Sequence, residues 1–561
     1  MRDRDEFDSK FQDFSSYLKK DFANAAVAFT QVLGIDPKNR EALYELSLLA
    51  FTAGMFREFV QYQERILELD PNDKNTHLFL GLGYHRIKNY ESAFREYNIA
   101  RSLMEKDELL VFDSIDYIIP SEKRKLYKQA SIDGKSEFEE KFWRKRDPLF
   151  LTEYNERILE HYSRVAFSNL KFTPKKMKNP PQGWKTDRGM IYIRYGQPLR
   201  IARLRPSHSA AGGSGFELTE IWYYNNFSFA FSDEYMTGNF ILGSRNRLRG
   251  VNFKELVDVH YKENSEIYEH RYEGSYFDVP NFTADFRAKE DNTQTDIYYA
   301  VPKSSLMFTH IDTSKVASVL RGFFVFDDEW NELQRSVSRE NLYFHPLLNP
   351  DIDFHVISQD KLEIPPGNYN FAFELIDEKS RNTYAQRYSL DIDSYKPGGL
   401  KVSDIVLASL IDSTFEKSQF SSHELAYDLQ IVPNPARSYQ KVQPMYLYFE
   451  VYNLRVVTPE GTSFDVTYHI KTADRKKSVT SKVFSVLSKP FGAGEDKVQI
   501  SSSYIYQGYL PMEKVYLSID MSALKNNVYD LAVIVKDINT GEVISKEAQF
   551  MVQDDTIYYL Y

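Results

Sequence analysis

Gly183-Trp184-Lys185-Thr186-Asp187-Arg188-Gly189 runs directly into Met190-Ile191-Tyr192-Ile193-Arg194-Tyr195-Gly196-Gln197-Pro198. Two glycines, a tryptophan, a Thr-Asp pair and an arginine within seven residues specify one local geometry tightly, and no known reaction needs that combination. Gly183 and Gly189 are expected to supply unusual backbone angles and Trp184 core mass. Thr186-Asp187 reads as a turn or cap acceptor, with Arg188 or Arg194 as the ionic partner of Asp187. From Met190 the chain reads as a strand ending at Gly196-Gln197-Pro198.

The flanks of this block are basic. Lys171 to Arg205 holds five lysines and five arginines against one acid, Asp187, a local charge of +9 in a chain of net charge -10. Such a run is either a solvated face or an electrostatic dock for an acidic partner: a protein surface, a polysaccharide or a lipid head group. Its candidate contact residues are Lys175, Lys176, Lys178, Lys185, Arg188, Arg194, Arg200, Arg203 and Arg205, interleaved with Phe172, Trp184, Tyr192 and Tyr195. Upstream, Leu159, Tyr162, Ala166 and Leu170 keep helical spacing between Pro148 and Pro174, with Thr152 as the expected cap.

Phe142-Trp143 with Arg146-Asp147-Pro148, the Glu156-Arg157 helix, Gly183-Trp184 with Thr186-Asp187-Arg188-Gly189, Tyr195-Gly196 with Pro198, and Glu220-Ile221-Trp222-Tyr223-Tyr224 together resemble the GWxTD domain. Gln197 stands where that family commonly has proline or glutamate. The resemblance implies a structural motif formed by Gly183, Trp184, Thr186, Asp187, Arg188, Gly189, Tyr195, Gly196 and Trp222, with no established catalytic activity to carry over. It also implies an exported, multidomain protein of envelope-rich bacteria.

A repeat precedes this region. Asp36-Pro37-Lys38-Asn39 returns 34 residues later as Asp70-Pro71-Asn72-Asp73, the period of tetratricopeptide repeats. Leu80-Gly81, Tyr84, Tyr90, Ala93, Tyr97 and Ala100 resemble that family's signature, while Phe59 replaces a usually small residue one repeat earlier. Ala25, Phe29 and Val32 match a further second helix, making about two and a half repeats. Tyr44, His77, Tyr84 and His85 are the candidate groove contacts.

Beyond Glu266 the pattern is β. Leu320 to Phe326, a turn at Asp327-Asp328-Glu329 and a return near Leu333 form a hairpin. Tyr369, Phe371, Phe373 and Leu375 alternate with polar neighbours up to Asp377, and Tyr529, Leu531, Val533 and Val535 repeat the pattern up to Asp537. These imply two immunoglobulin-like β-sandwiches with Tyr369 and Tyr529 as corner tyrosines. The expected organisation is multidomain α+β: helical repeats over 1–115, the motif domain over 120–250, a sandwich over 262–395, a connecting segment over 396–440 and a second sandwich over 441–561.

Composition excludes several chemistries. The absence of cysteine removes disulfides, thiolate metal sites and cysteine nucleophiles. The eleven histidines form no HExxH; His345 and His355 are the one pair able to meet, across a hairpin. Gly212-Gly213-Ser214-Gly215 lacks a P-loop's Lys-Ser/Thr and reads as a loop. Asp187 and Glu220 would make a general acid–base pair only if brought into one cleft. No apolar run is long enough to span a membrane, and no apolar leader segment follows Met1.

The expectation is therefore a non-enzymatic protein-binding scaffold without cofactor or metal, located in the bacterial periplasm or envelope, the cytoplasm being the alternative. The rival expectation is binding or processing of an anionic envelope polysaccharide through residues 171–205. Nucleic acid is not the expected partner, given the overall acidity.

Overall fold

Side-chain caps punctuate the N-terminal helices of the computed structural model, which describes residues 16–204, 218–225, 227–243, 274–289, 291–311, 314–344, 352–412, 429–473, 498–554 and 557–560. The chain divides into two compact units, residues 1–271 and 272–561. Arg205, His345 and the Gly212–Gly215 cluster lie outside the described residues.

In the first unit, α1 (Ser16–Ile35) is followed by two helix pairs: α2 (Arg40–Thr52) with α3 (Phe56–Leu67), and α4 (Lys74–Arg86) with α5 (Tyr90–Ser102). Asn39 accepts the Ala42 N–H, Asp73 the Asn75 N–H and Asn89 the Ser92 N–H, so α2, α4 and α5 each start on a polar cap. At the crossing of α4 and α5 a Cβ on Gly81 would lie 2.6 Å from the Tyr97 ring. Hydrogen there is what lets the two helices close over the buried Ala93 and Tyr97.

Three further helices, α6 (Lys106–Phe112), α7 (Ser121–Gln129) and α8 (Ile132–Arg144), lead to α9 (Glu156–Phe172). Asn155, rather than Thr152, caps α9 by accepting the Arg157 and Ile158 N–H groups; the Thr152 hydroxyl instead donates to the Leu149 carbonyl in the loop before it. Helix α9 packs on the repeated pairs, with the rings of Phe51 and Phe167 5.9 Å apart and those of Tyr97 and Tyr162 5.6 Å apart. The pairs and α9 thus share one hydrophobic core.

The stretch from Met190, expected as a strand, is helix α10 (Asp187–Tyr195). Its aromatic and β-branched run favours a strand locally. Both ends are nevertheless set for a helix: Thr186 accepts the Gly189 N–H at the start, and Gly196 stops it with φ +72°. Ile191, Tyr192 and Ile193 are all buried. The unit ends in an antiparallel meander of β1 (Arg200–Leu204), β2 (Leu218–Tyr223), β3 (Ser228–Asp233) and β4 (Ile241–Leu242). Trp222, Phe229 and Phe231 from that sheet pack on Phe172, Ile191 and Tyr192.

The second unit contains two pairs of facing sheets. In the first pair, β5 (Asn281–Arg287), β6 (Thr293–Pro302), β10 (Phe354–Ile364) and β23 (Tyr558–Leu560) face β7 (Thr309–Ile311), β8 (Ser314–Phe326), β9 (Glu332–Phe344), β11 (Gly367–Asp377) and β12 (Thr383–Ile392). Ile297, Tyr299, Phe323, Phe371 and Phe373 fill the space between them. The expected hairpin is β8–β9, whose turn is held by Asp327 accepting the Glu329 and Asn331 N–H groups.

In the second pair, β13 (Lys401–Val402), β14 (Val406–Asp412), β15 (Gln430–Pro433), β17 (Met445–Tyr452) and β20 (Met512–Ile519) face β16 (Ser438–Tyr439), β18 (Thr462–Thr472), β19 (Val498–Gly508), β21 (Asn527–Asp537) and β22 (Val543–Val552). The stretch 396–440, read from sequence as a connection, supplies β13 to β16 of these sheets. Its Val406 and Ile431 also pack on Phe282, Phe286 and Tyr298 of the first pair. The last strand, β23, returns to pair in parallel with β10.

The two aligned tyrosine strands are β11 and β21. Tyr369 donates to the Pro365 carbonyl and Tyr529 to the Lys525 carbonyl, each at 2.9 Å and each four residues upstream. Asp377 and Asp537 close both strands, buried and accepting N–H groups of the turns that follow.

Candidate functional site

Each polar group of the Gly183 block has a defined structural partner. The Thr186 hydroxyl donates to the Gly183 carbonyl at 2.6 Å and accepts the Gly189 N–H at 3.1 Å, closing the turn that starts α10. Gly183 lies directly on the backbone of α9: a Cβ there would stand 1.9 Å from the Ser168 carbonyl oxygen. A Cβ on Gly189 would stand 2.0 Å from the Gly183 carbonyl oxygen. Neither glycine is among those with positive φ, so close approach, not an unusual angle, is what requires them. Trp184 is half-buried; its backbone N–H meets Asn169 Oδ1 and its ring lies against Tyr117.

Asp187 does not pair with an arginine. Its Oδ2 accepts the Leu242 N–H at 2.7 Å, tying the first turn of α10 to β4. The ionic centre is Glu220 on β2. Glu220 Oε2 accepts from Arg188 at 3.3 Å and from Trp222 Nε1 at 3.2 Å, and Oε1 accepts from Arg203 at 2.9 Å. Burial by itself would raise the Glu220 carboxyl; Arg188 first, then Arg203 and Trp222, more than offset it and hold it below the usual carboxylate range. Arg188 also donates to the Gly238 carbonyl at 2.9 Å and stacks 4.0 Å over Phe240. Gly238 is in turn fixed by its N–H to Asp233.

The far end of α10 is held by α9. Arg164 donates to the Ile193 and Arg194 carbonyls, and its Nε meets Glu160 at 2.5 Å. Arg194, nearly inaccessible at 1%, donates to the Tyr117 carbonyl at 2.7 Å. The Gly196 carbonyl accepts from Tyr224, and Tyr195 packs among Tyr224, Phe227 and Phe229. The two motif segments, far apart in sequence, therefore meet through Arg188 and Glu220. Residues 102–248 match the GWxTD domain.

Across the rest of the chain the comparisons are sparse. No curated protein matches it. Among solved structures it is similar to Escherichia coli alpha-2-macroglobulin activated by porcine elastase at 9% identity, over 60% of this chain and 26% of that one, with a TM-score of 0.14. It is likewise similar to Parabacteroides merdae β-glucuronidase at 11% identity, over 46% of this chain and 28% of that one, with a TM-score of 0.15. The chain thus spans little more than a quarter of either protein, and TM-scores this low support no inference about fold.

Within the GWxTD domain the basic run splits into two sets. Arg188 and Arg194, expected as surface contacts, are buried and committed to Glu220, Gly238 and Tyr117, so they are corrected to structural roles. Lys175, Lys176, Lys178, Lys185, Arg200 and Arg203 are exposed. Among the described residues only Arg203 of these six pairs with a carboxylate, while Lys185 lies 4.9 Å over Trp184 and Arg200 4.9 Å over Tyr223. Lys171, half-buried, donates to the Thr52 hydroxyl; burial, then Lys175 and Arg203, push its amine down to about 8.

The candidate groove residues are engaged within the chain. Tyr84 donates to Glu64 at 2.6 Å, and His77 lies 2.7 Å from Glu96. His85 faces Glu160 of α9 at 3.5 Å, and burial pushes its imidazole down to about 4 in spite of that carboxylate. Arg86, which the sequence reading passed over, donates to Tyr192 of α10 at 3.0 Å. Its place at the end of α4, beside two aromatic positions already singled out, was the available signal.

Proposed function

We propose that this chain is a non-enzymatic, protein-binding scaffold component of the bacterial cell envelope or of an exported complex. The observation that carries the reading is the internal use of the motif's carboxylates. Asp187 is held by the Leu242 N–H, and Glu220 by Arg188, Arg203 and Trp222. A carboxylate neutralised by two arginines and kept ionised is a poor general acid, and one tied to a strand N–H is built for position. Capped helix pairs recurring at 34 residues support TPR-like repeats, and the matched Tyr369 and Tyr529 bonds support two immunoglobulin-like modules. Periplasmic or envelope location rests on the family resemblance, and no cofactor or metal is assigned. Crosslinking in the native cell followed by purification should recover one envelope protein in a salt-insensitive complex. A measurable turnover that Asp187→Asn abolishes would overturn the reading.

A second reading is favoured by the exposed Lys175, Lys176, Lys178, Lys185 and Arg200, which have no carboxylate partner among the described residues. In it, this face binds an anionic polysaccharide or a lipid head group. Retention on dextran sulfate that falls steeply with salt, and falls again in a Lys175/Lys176/Lys178→Ala variant, would support it. Equal retention of variant and parent would remove it.

A further inference from the structure

Edge strands expose a row of unpaired N–H and C=O groups, and proteins guard them with charged side chains, proline, bulges or brevity. The edges of the second unit follow that rule with one exception. Strand β9 carries Glu332, Arg335, Arg339 and Glu340; β12 carries Arg387 and Asp391; β20 carries Glu513 and Lys514; β5 carries Asp285 and Arg287. β19, with eleven residues in the sequence Val-Gln-Ile-Ser-Ser-Ser-Tyr-Ile-Tyr-Gln-Gly, holds neither charge nor proline. It ends its sheet, pairing only with β18 among the described residues. That ladder runs without interruption from Thr462↔Gly508 to Ile470↔Ile500, its single irregularity falling beyond Ile470. Ile505 is 70% exposed and Tyr504 47%, and the neighbouring Tyr509, Leu510 and Tyr516 are exposed as well.

We infer that β19 pairs antiparallel with β19 of a second copy of this chain, about a two-fold axis at Ser503. The argument for a second copy is the strand's self-complementarity. A two-fold at Ser503 sets Tyr504 opposite Ser502, Ile505 opposite Ser501 and Tyr506 opposite Ile500. Each pair lies on one face of the joined sheet, because directly opposed residues share a face. The two largest exposed side chains therefore meet serines, and no like charges are brought together, which would destabilise any charged strand paired with itself. The contact is isologous and closes as a dimer, joining two five-stranded sheets into one. Phe464 and Tyr506, stacked at 5.4 Å, and Tyr468 and Tyr504, stacked at 6.2 Å, hold the inner face of the strand flat before any partner arrives.

The test uses the full chain, whose lack of cysteine makes it a clean background for crosslinking. Sedimentation should give twice the 65.7 kDa chain mass at micromolar concentration. Ser503→Lys should give the single-chain mass, since two ammonium groups would meet on the axis; within its own chain the new lysine has Asp465 beside it, so circular dichroism should be unchanged. Leu333→Lys, on the guarded edge β9, should leave the dimer intact. Register is read by oxidation. Ser503→Cys should crosslink to itself, whereas Ser501→Cys and Ile505→Cys should crosslink only when the two variants are mixed. A single-chain mass for the parent at all concentrations, a dimer indifferent to Ser503→Lys, crosslinks in another register, or a strand of a different polypeptide paired at β19 would each overturn the inference.

Discussion

Adding one methyl group at Gly183 should destabilise the first unit more than any other alanine substitution in the motif block apart from Gly189→Ala. The new Cβ would lie 1.9 Å from the Ser168 carbonyl oxygen and 2.9 Å from Asn169 Cα, where real contacts stay beyond 3.0 Å. The turn and α9 must therefore separate by roughly 1 Å, against backbone that cannot swing aside as a flexible side chain can. Helix α9 is anchored on its other faces by Tyr162 and Phe167, so the strain has no easy outlet. Overpacking costs about 1–3 kcal/mol where side chains give way; against backbone the upper end, about 3 kcal/mol, is expected. For a body of this size that is a fall of roughly 6–12 °C in Tm. Trp143, Trp184 and Trp222 lie in the first unit and Trp330 in the second. Urea unfolding followed by tryptophan fluorescence in a Trp330→Phe background thus reports the first unit alone. Gly34→Ala is the control, with nothing within 4 Å of its new Cβ and an expected gain of about 0.4–1 kcal/mol. A Gly183→Ala protein within about 0.5 kcal/mol of the parent, the usual range for surface changes, would refute the close-approach argument.

Glu220→Ala strands the buried Arg188 guanidinium and should cost about 3–5 kcal/mol in the same assay, with part recovered by adding Arg188→Met. Thr186→Val removes the cap and the bond to Gly183 and should cost about 1–2 kcal/mol, whereas Thr186→Ser should lie close to the parent. In the second unit, burial first and the neighbouring Asp404 second push Asp285 from 3.8 up to about 7, against Thr295, the Asp393 N–H and Lys546. The folded state then binds the extra proton between those values, so this group's contribution to stability is present below pH 4 and is lost as the pH rises through 7. Urea midpoints of Asp285→Asn compared with the parent should converge at low pH and separate above it, with the variant the more stable; parallel curves would refute the assignment.

Helix pairs, their caps and the paired tyrosine strands were legible because their determinants are local. Asn39, Asp73 and Asn89 sit where a helix must start, and Gly81 stands 16 residues before the Tyr97 that needs its space. Tyr369 and Tyr529 repeat with their closing aspartates because each strand carries its own corner and its own turn. The candidate site was less legible. Ile191, Tyr192 and Ile193 favour a strand, and the Thr186 start and Gly196 stop of a helix were overlooked beside that signal. A charge count over 171–205 could not separate exposed lysines from buried arginines, because burial depends on what folds over a residue.

The order of the elements, the capped repeats, the two tyrosine corners and the residue types in the Gly183 block were decided by sequence alone, since each depends on groups within a few residues or on a fixed repeat. Tertiary structure decided that Gly183 and Gly189 are needed for contact with neighbouring backbone, that Arg188 belongs to Glu220 rather than Asp187, and that residues 396–440 complete a sheet. These are long-range outcomes. A glycine records only that space is short, and an arginine only that charge is present; the partner comes from elsewhere in the chain, and only folding brings it there.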